Sequence, residues 1–110
     1  MTLRFGLPET TIHKIYRVFA RYPQIEKAAR YGSRAKETYK NGSDIDLTLH
    51  GRHLTLDTLY EIMIAVDDLL LPYTIDLSIY HTLTDPDFLD HIHRVGLTFY
   101  EKGSLIPEPA

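Results

Sequence analysis

The stretch from Gly32 to Leu47, GSRAKETYKNGSDIDL, carries most of the information about the fold of this chain. It begins with a Gly-Ser pair and ends, after ten intervening residues, in Asp44-Ile45-Asp46. From Asp44 to Leu49 polar and apolar residues alternate strictly, which predicts a strand with one apolar and one polar face. Asp44 and Asp46 therefore project their carboxylates from the same face.

A second alternating segment, from Thr74 to Tyr80, predicts another strand with Asp76 on its polar face. Taken alone, each aspartate is better explained as a cap or a solvent-facing residue. If the two strands are neighbours, however, three carboxylates meet, and such groups repel each other unless a cation lies between them. Oxygen ligands of this kind suit magnesium or manganese, and two such ions can assist nucleotidyl transfer.

The segment that precedes the Asp44 strand has features of a phosphate-binding turn. Gly32 allows close approach of a ligand, and Ser33 can donate its hydroxyl where backbone N–H groups are exposed at a helix start. Arg34 and Lys36 add positive charge. Without the aspartates downstream, an ordinary turn with solvated basic side chains is the better explanation of these residues.

The remaining elements follow from apolar spacing and capping residues. Their predicted order is helix, strand, strand, helix, strand, helix, strand, which indicates an α/β (α+β) domain with a small mixed sheet flanked by helices. The predicted positions are a helix through residues 12–19, capped by Thr10 or Thr11 and stopped by Pro23; a strand over 25–31; a helix over 56–70, closed by Pro72; a helix that begins at Asp85-Pro86 and ends at Gly96; and a strand over 97–100.

Composition limits the classes of protein to which the chain can belong. Its 110 residues fit one domain, which we assign to residues 1–103, with residues 104–110 as a loose tail. The net charge of -3 argues against direct nucleic-acid binding, and no apolar run is long enough to span a membrane. There is no cysteine, so thiolate metal sites are excluded. These features predict a cytoplasmic protein.

The six histidines form no convincing metal site in the sequence. His91 and His93 are two apart on a predicted helix and therefore point in different directions. His50 and His53 flank a predicted turn at Gly51. We expect all four to be solvated or capping residues.

The two aspartate segments together resemble the nucleotidyltransferase family that includes DNA polymerase beta, and more closely its minimal nucleotidyltransferases. The matching stretches are Gly32–Leu47 and TIDLSIY at Thr74–Tyr80, with a weaker match in IHRVGLTFYEKG at Ile92–Gly103. The resemblance implies the polymerase-beta-like fold and transfer of a nucleotide from ATP, with release of pyrophosphate. It also implies that two Mg²⁺ ions, or Mn²⁺, are bound by Asp44, Asp46 and Asp76.

The same resemblance implies further roles and a partner. Asp76 would help to deprotonate the acceptor hydroxyl, and Gly32 and Ser33 would hold the β and γ phosphates, with Arg34 and Lys36 as additional contacts. Minimal members of the family are typically paired with an all-helical HEPN-type toxin, on which they adenylylate a tyrosine as the antitoxin. The chain departs from the family at Glu37, where relatives often have glycine; this carboxylate could repel the triphosphate and weaken nucleotide binding, or could pair with Arg34 or Lys36.

Two other functions stay open at this stage. A non-catalytic antitoxin would neutralise its partner by covering it, and a small-molecule nucleotidyltransferase would modify, for example, an antibiotic. The complete aspartate set favours an enzyme, and the lack of a separate substrate domain favours a protein acceptor. A domain this small is also expected to expose apolar surface, which predicts a homodimer or a hetero-oligomer.

Overall fold

A mixed sheet with helices on both faces forms the centre of the molecule. A computed structural model describes residues 3–4, 7–31 and 45–103. The alternation of strands and helices confirms the predicted α/β class. In chain order the described elements are β1 (Leu3–Arg4), β2 (Leu7–Pro8), α1 (Glu9–Ala20), β3 (Lys27–Tyr31), β4 (Ile45–His50), α2 (Leu56–Asp67), β5 (Ile75–Ile79), a short 3-10 helix (Tyr80–Thr82), α3 (Pro86–Val95) and β6 (Leu97–Glu101).

The order of the strands brings the two predicted aspartate strands together. In the described part of the chain, the larger sheet has the order β5-β4-β3-β6. β3 pairs with β4 and with β6 in antiparallel fashion, whereas β4 and β5 are parallel. Parallel neighbours need a long crossover, and helix α2 provides it. β4 and β5 are therefore neighbours, the condition under which the sequence brings their aspartates together.

The apolar face of the sheet packs against α1 and α2. Ile45, Leu47 and Leu49 of β4 are completely buried there, as the alternation predicted. The Tyr16 side chain of α1 donates a hydrogen bond to the backbone carbonyl oxygen of Phe99, which ties the helix to the edge strand β6. The side chains that complete this core include Ile12, Ile15, Phe19, Ile25, Ala28, Leu59, Ile62, Val66, Ile79 and Tyr100.

The helix ends differ in part from the sequence prediction. Asp85 caps α3 by accepting the backbone N–H of Asp87, and Gly96 follows its last residue, as predicted. The prediction that Thr10 or Thr11 caps α1 is wrong, because the helix begins at Glu9, directly after the extended Pro8. α2 ends at Asp67, before the predicted position, since the chain turns there; its start is capped by Thr55, which accepts the N–H of Thr58.

Arg30 is a fully buried charged residue within the sheet, which the sequence did not predict. Its guanidinium carbon lies 5.5 Å from the centre of the Phe99 ring, a distance typical of a cation–π contact.

None of the helices in the described residues has the length and apolar character needed to cross a bilayer.

Candidate active site

Asp46 and Asp76 lie side by side on the face of the sheet opposite α1 and α2. They are direct register partners in the parallel pair β4–β5, so their side chains leave the same face from adjacent strands. Neighbouring strands are about 4.8 Å apart, so the two carboxylates are close enough to bind the same metal ion. Asp46 is half-buried and Asp76 is exposed, so this end of the face is open to a ligand.

Tyr31 lies beside Asp46 on the neighbouring strand β3, and the two aspartates contribute to the shift of its pKa. It is the register partner of Asp46 on β3. Burial raises the pKa of the Tyr31 hydroxyl above 10.0; an interaction with the Ser78 hydroxyl lowers it in part, and the negative charges of Asp46 and Asp76 raise it further. Tyr31 therefore stays a neutral hydrogen-bond donor beside two carboxylates. Its ring meets the Phe88 ring of α3 edge to face, with 5.4 Å between ring centres.

Five of the seven predicted site residues lie outside the described residues: Gly32, Ser33, Arg34, Lys36 and Asp44. Among the residues that the structure describes, no three His, Asp or Glu side chains come together as a metal-binding group. Of the predicted metal ligands, the described chain therefore supplies the pair Asp46 and Asp76. The predicted role of each site residue stays a prediction.

The polar face continues from the aspartates to a cluster of rings at the other end of the same strands. Along β4 and β5, Thr48 and Ser78 follow the carboxylates. His50 is the last residue of β4, and Tyr80 is the first residue of the 3-10 helix that follows β5. The His50 and Tyr80 rings stack with 4.3 Å between their centres and a 23° angle between their planes. The His93 ring of α3 lies nearly parallel to the Tyr80 ring, with 5.8 Å between their centres, and its Nε2 shares a hydrogen bond with the Tyr80 hydroxyl.

The ring cluster corrects one expectation from the sequence. His53 is exposed, as expected, but His50 is half-buried and packed between charged neighbours. Burial lowers the pKa of His50 below 6.5, and the positive charges of Lys27 and His93 lower it further, whereas Glu26 opposes the shift. The sequence contained a signal for this position, because His50 and Tyr80 each follow an aspartate by four residues and so share its face.

Helix α3 covers the β3 side of this face. A groove of about 250 Å³ runs between α3 and the sheet, and its walls include Lys27, Ala29, His50, Ile92 and Thr98. The groove lies away from the aspartate end, which α3 reaches through Phe88. The same face of the sheet thus carries the two carboxylates at one end and this groove at the other.

Comparison with known proteins assigns this architecture to a family. The family model described as polymerase beta, nucleotidyltransferase matches residues 13–104. No curated protein sequence is similar enough to the chain to count as a match.

Three solved structures show the same fold at low sequence identity. A toxin–antitoxin complex with AMP-PNP aligns with a TM-score of 0.66 and 19% identity over 88% of this chain and 76% of the other. A MNT antitoxin complex with the tri-AMPylated HEPN toxin of Shewanella oneidensis gives a TM-score of 0.62 and 14% identity over 86% and 72%. A putative nucleotidyltransferase from Sulfolobus solfataricus gives 0.53 and 19% over 86% and 79%.

Proposed function

This chain belongs to the polymerase beta nucleotidyltransferase family, and we propose from that premise that it transfers AMP from ATP to a hydroxyl group of a protein. The observation that carries the proposal is the direct pairing of Asp46 with Asp76 across two parallel strands. A sheet gains nothing from like charges in register, which are destabilising in the free protein. A cation bound between the two carboxylates would remove this repulsion.

The donor set fits divalent metal ions. Carboxylate oxygens are the ligands that magnesium and manganese prefer. Burial raises the pKa of Tyr31 most, and the negative charges of the two aspartates add to this shift. Asp46 and Asp76, with Asp44 as the further ligand, are proposed to hold two Mg²⁺ ions. Bound there, the ions would neutralise negative charge on the phosphates and on the attacking and leaving oxygens.

The chain's own residues would position the two substrates. β3 ends at Tyr31, opposite Asp46, and the sequence continues directly into Gly32 and Ser33, the proposed contacts of the β and γ phosphates. Arg34 and Lys36 are proposed as additional phosphate contacts. Tyr31, neutral because of its raised pKa, can donate a hydrogen bond to an oxygen held at the carboxylates.

In the proposed reaction the acceptor oxygen forms a bond to the α-phosphorus, and the bond from that phosphorus to the pyrophosphate oxygen breaks. The acceptor proton passes to the Asp76 carboxylate, which is exposed and therefore accessible to a second substrate. The products are the AMP-modified protein and pyrophosphate. Precise positioning and charge neutralisation would supply most of the rate enhancement.

A HEPN-type helical toxin is the proposed acceptor, with a tyrosine hydroxyl as its target. Two observations support this choice: the fold is shared with the antitoxin of the complex that contains a tri-AMPylated HEPN toxin, and with a toxin–antitoxin complex that contains AMP-PNP. The chain would then act as the antitoxin by modifying its partner.

The test first determines whether the gene adjacent to this chain's gene encodes a helical protein with an Arg-x4–6-His motif, and that protein is then produced together with this chain. The purified pair is incubated with ATP and Mg²⁺, and intact-mass spectrometry measures the addition of AMP to the partner. We expect addition with the wild type and none with Asp76→Asn. Asp90→Asn is the matched control, because it makes the same chemical change at an exposed position on α3, where Asp90 forms an ion pair with Arg94. Equal modification by Asp76→Asn would refute the proposal.

A further inference from the structure

Helix α2 is apolar on both sides, unlike a helix that covers a core with one face. Its inner side buries Leu59, Ile62 and Val66 against the sheet. Its outer side carries a second apolar row at helical spacing, which faces solvent and has the exposed Asp67 at its C-terminal end. The outer row consists of Leu56, Tyr60, Met63 and Ile64, which are 57%, 52%, 37% and 62% exposed.

An acidic row borders the outer apolar row. Asp57, Glu61 and Asp68 are spaced by four and seven residues, so their side chains leave the helix in nearly the same direction. All three are exposed. Residues 56–67 of α2 include no lysine or arginine. The charge of this surface is therefore negative along its border, and an apolar partner surface bordered by Lys or Arg would complement it.

A groove beside the helix extends this surface. It has a volume of about 470 Å³ and lies between the end of α1 and α2, where Arg21, Glu61, Ile64 and Asp68 form part of its wall. Two carboxylates against one guanidinium leave the wall negative, and the apolar groups beside them suit a long basic side chain, which buries its methylene groups and keeps its charge at the edge.

Leu70, three residues after the last residue of α2, combines an unfavourable backbone conformation with an exposed apolar side chain. It adopts a left-handed backbone conformation, with φ of 54°, and its side chain is 88% exposed. For a residue other than glycine this conformation costs on the order of 1–2 kcal/mol, and an exposed leucine recovers none of it within the fold. Glycine is the usual residue at such a turn after a helix.

From these observations we infer that the outer face of α2 with Leu70, the α2 surface, docks a partner protein through an apolar patch bordered by Lys or Arg. A second copy of the chain fits less well, because its own α2 would add a second acidic row, which Arg21 in the groove balances only in part. The inference rests on the proposed function in that the partner is the acceptor protein itself.

The α2 surface and the candidate active site lie on opposite sides of the sheet. α2 packs on the face of Ile45, Leu47 and Leu49, and the carboxylates leave the other face. Docking and transfer therefore use different residues of the chain. Variants of the α2 surface should weaken the complex without changing the Mg²⁺-dependent stabilisation of the free protein.

The experiment measures, by isothermal titration, the Kd of this chain for the helical HEPN-type protein that is its proposed acceptor. Tyr60→Ser and Ile64→Ser are each expected to raise the Kd about 30-fold, as loss of a central apolar anchor does. Glu61→Lys is expected to raise it about 5-fold and to reduce its salt dependence. Asp90→Lys, the same charge reversal on α3, is the control and should leave the Kd unchanged.

Leu70→Gly separates docking from folding, because its two effects have opposite signs. It should raise the melting temperature of the free protein by relieving the backbone conformation, and raise the Kd by removing an exposed apolar contact. A variant that merely misfolded would lower the melting temperature instead.

The outcomes distinguish this inference from the proposed function. Wild-type affinity in the α2 variants, or no complex with the wild type, would overturn docking at α2. A wild-type homodimer in sedimentation that Ile64→Ser dissociates would overturn the choice of partner. A complex that depends on α2 but transfers no AMP would leave docking supported and refute the proposed reaction.

Discussion

Replacing Asp76 with asparagine should make the metal-free protein more stable while it removes the metal site. Asp46 and Asp76 are register partners, so their charges lie roughly 5 Å apart. Because Asp76 is exposed, the dielectric of water applies, and the repulsion is about 0.8 kcal/mol. This value agrees with the roughly 0.2–1 kcal/mol range of cross-strand pairs. Asparagine has nearly the same shape and the same low strand propensity, so the charge is the main change.

The corresponding change in melting temperature follows from the size of the chain. An unfolding entropy of about 2.1 cal/mol/K per residue over 110 residues gives about 0.23 kcal/mol/K. The variant should therefore melt about 3 °C higher than the wild type in EDTA at low salt, and the difference should shrink as salt screens the pair.

Magnesium should reverse this difference, so that the wild type melts at a higher temperature than Asp76→Asn. At a concentration of ten times Kd, the ion would add about 1.4 kcal/mol to the wild type, or about 6 °C, and much less to the variant. Differential scanning fluorimetry with EDTA and with Mg²⁺ measures both effects, and Asp90→Asn controls for the change in net charge. A lower melting temperature for Asp76→Asn in EDTA, or an equal response to Mg²⁺, would show that the two carboxylates do not form a metal site.

Three further predictions concern stability and are measured by urea unfolding. The pKa of His50 is lower in the folded state than in the unfolded state, so the unfolded state binds a proton at higher pH. The free energy of unfolding should therefore fall as the pH drops below about 6.5, and His50→Gln should weaken this pH dependence. Ile62→Ala should cost about 2–5 kcal/mol because Ile62 is completely buried, whereas Ile64→Ala, at an exposed site on the same helix, should cost at most about 0.5 kcal/mol. Gly51→Ala should cost about 1–3 kcal/mol, since its Cβ would lie 2.0 Å from the backbone oxygen of Gln24; unchanged stability would contradict this packing.

Local pattern was sufficient to predict the element types and the faces of the strands. Alternation assigned Leu47 to the core and Asp46 to the polar face, because side chains on a strand point alternately to opposite sides whatever the strand packs against. The Asp85-Pro86 start of α3 was equally readable, since capping depends on adjacent backbone groups. The short pair β1–β2 had no such signal, because each strand has only two residues.

Periodicity failed where one helix has two apolar sides. Leu56, Tyr60 and Met63 helped to identify α2, yet they face solvent, whereas Ile62 on the same helix is buried. Spacing shows that such residues share a direction, but only the position of the sheet decides which direction is inward.

The sequence by itself determined that Asp46 and Asp76 each lie on the polar side of a strand. Only the tertiary structure decided that the two strands are neighbours and in register, and that His93 of α3 joins His50 and Tyr80. The physical reason is that alternation is local to one strand, whereas pairing depends on long-range packing, in which α2 crosses the sheet and returns the chain beside β4.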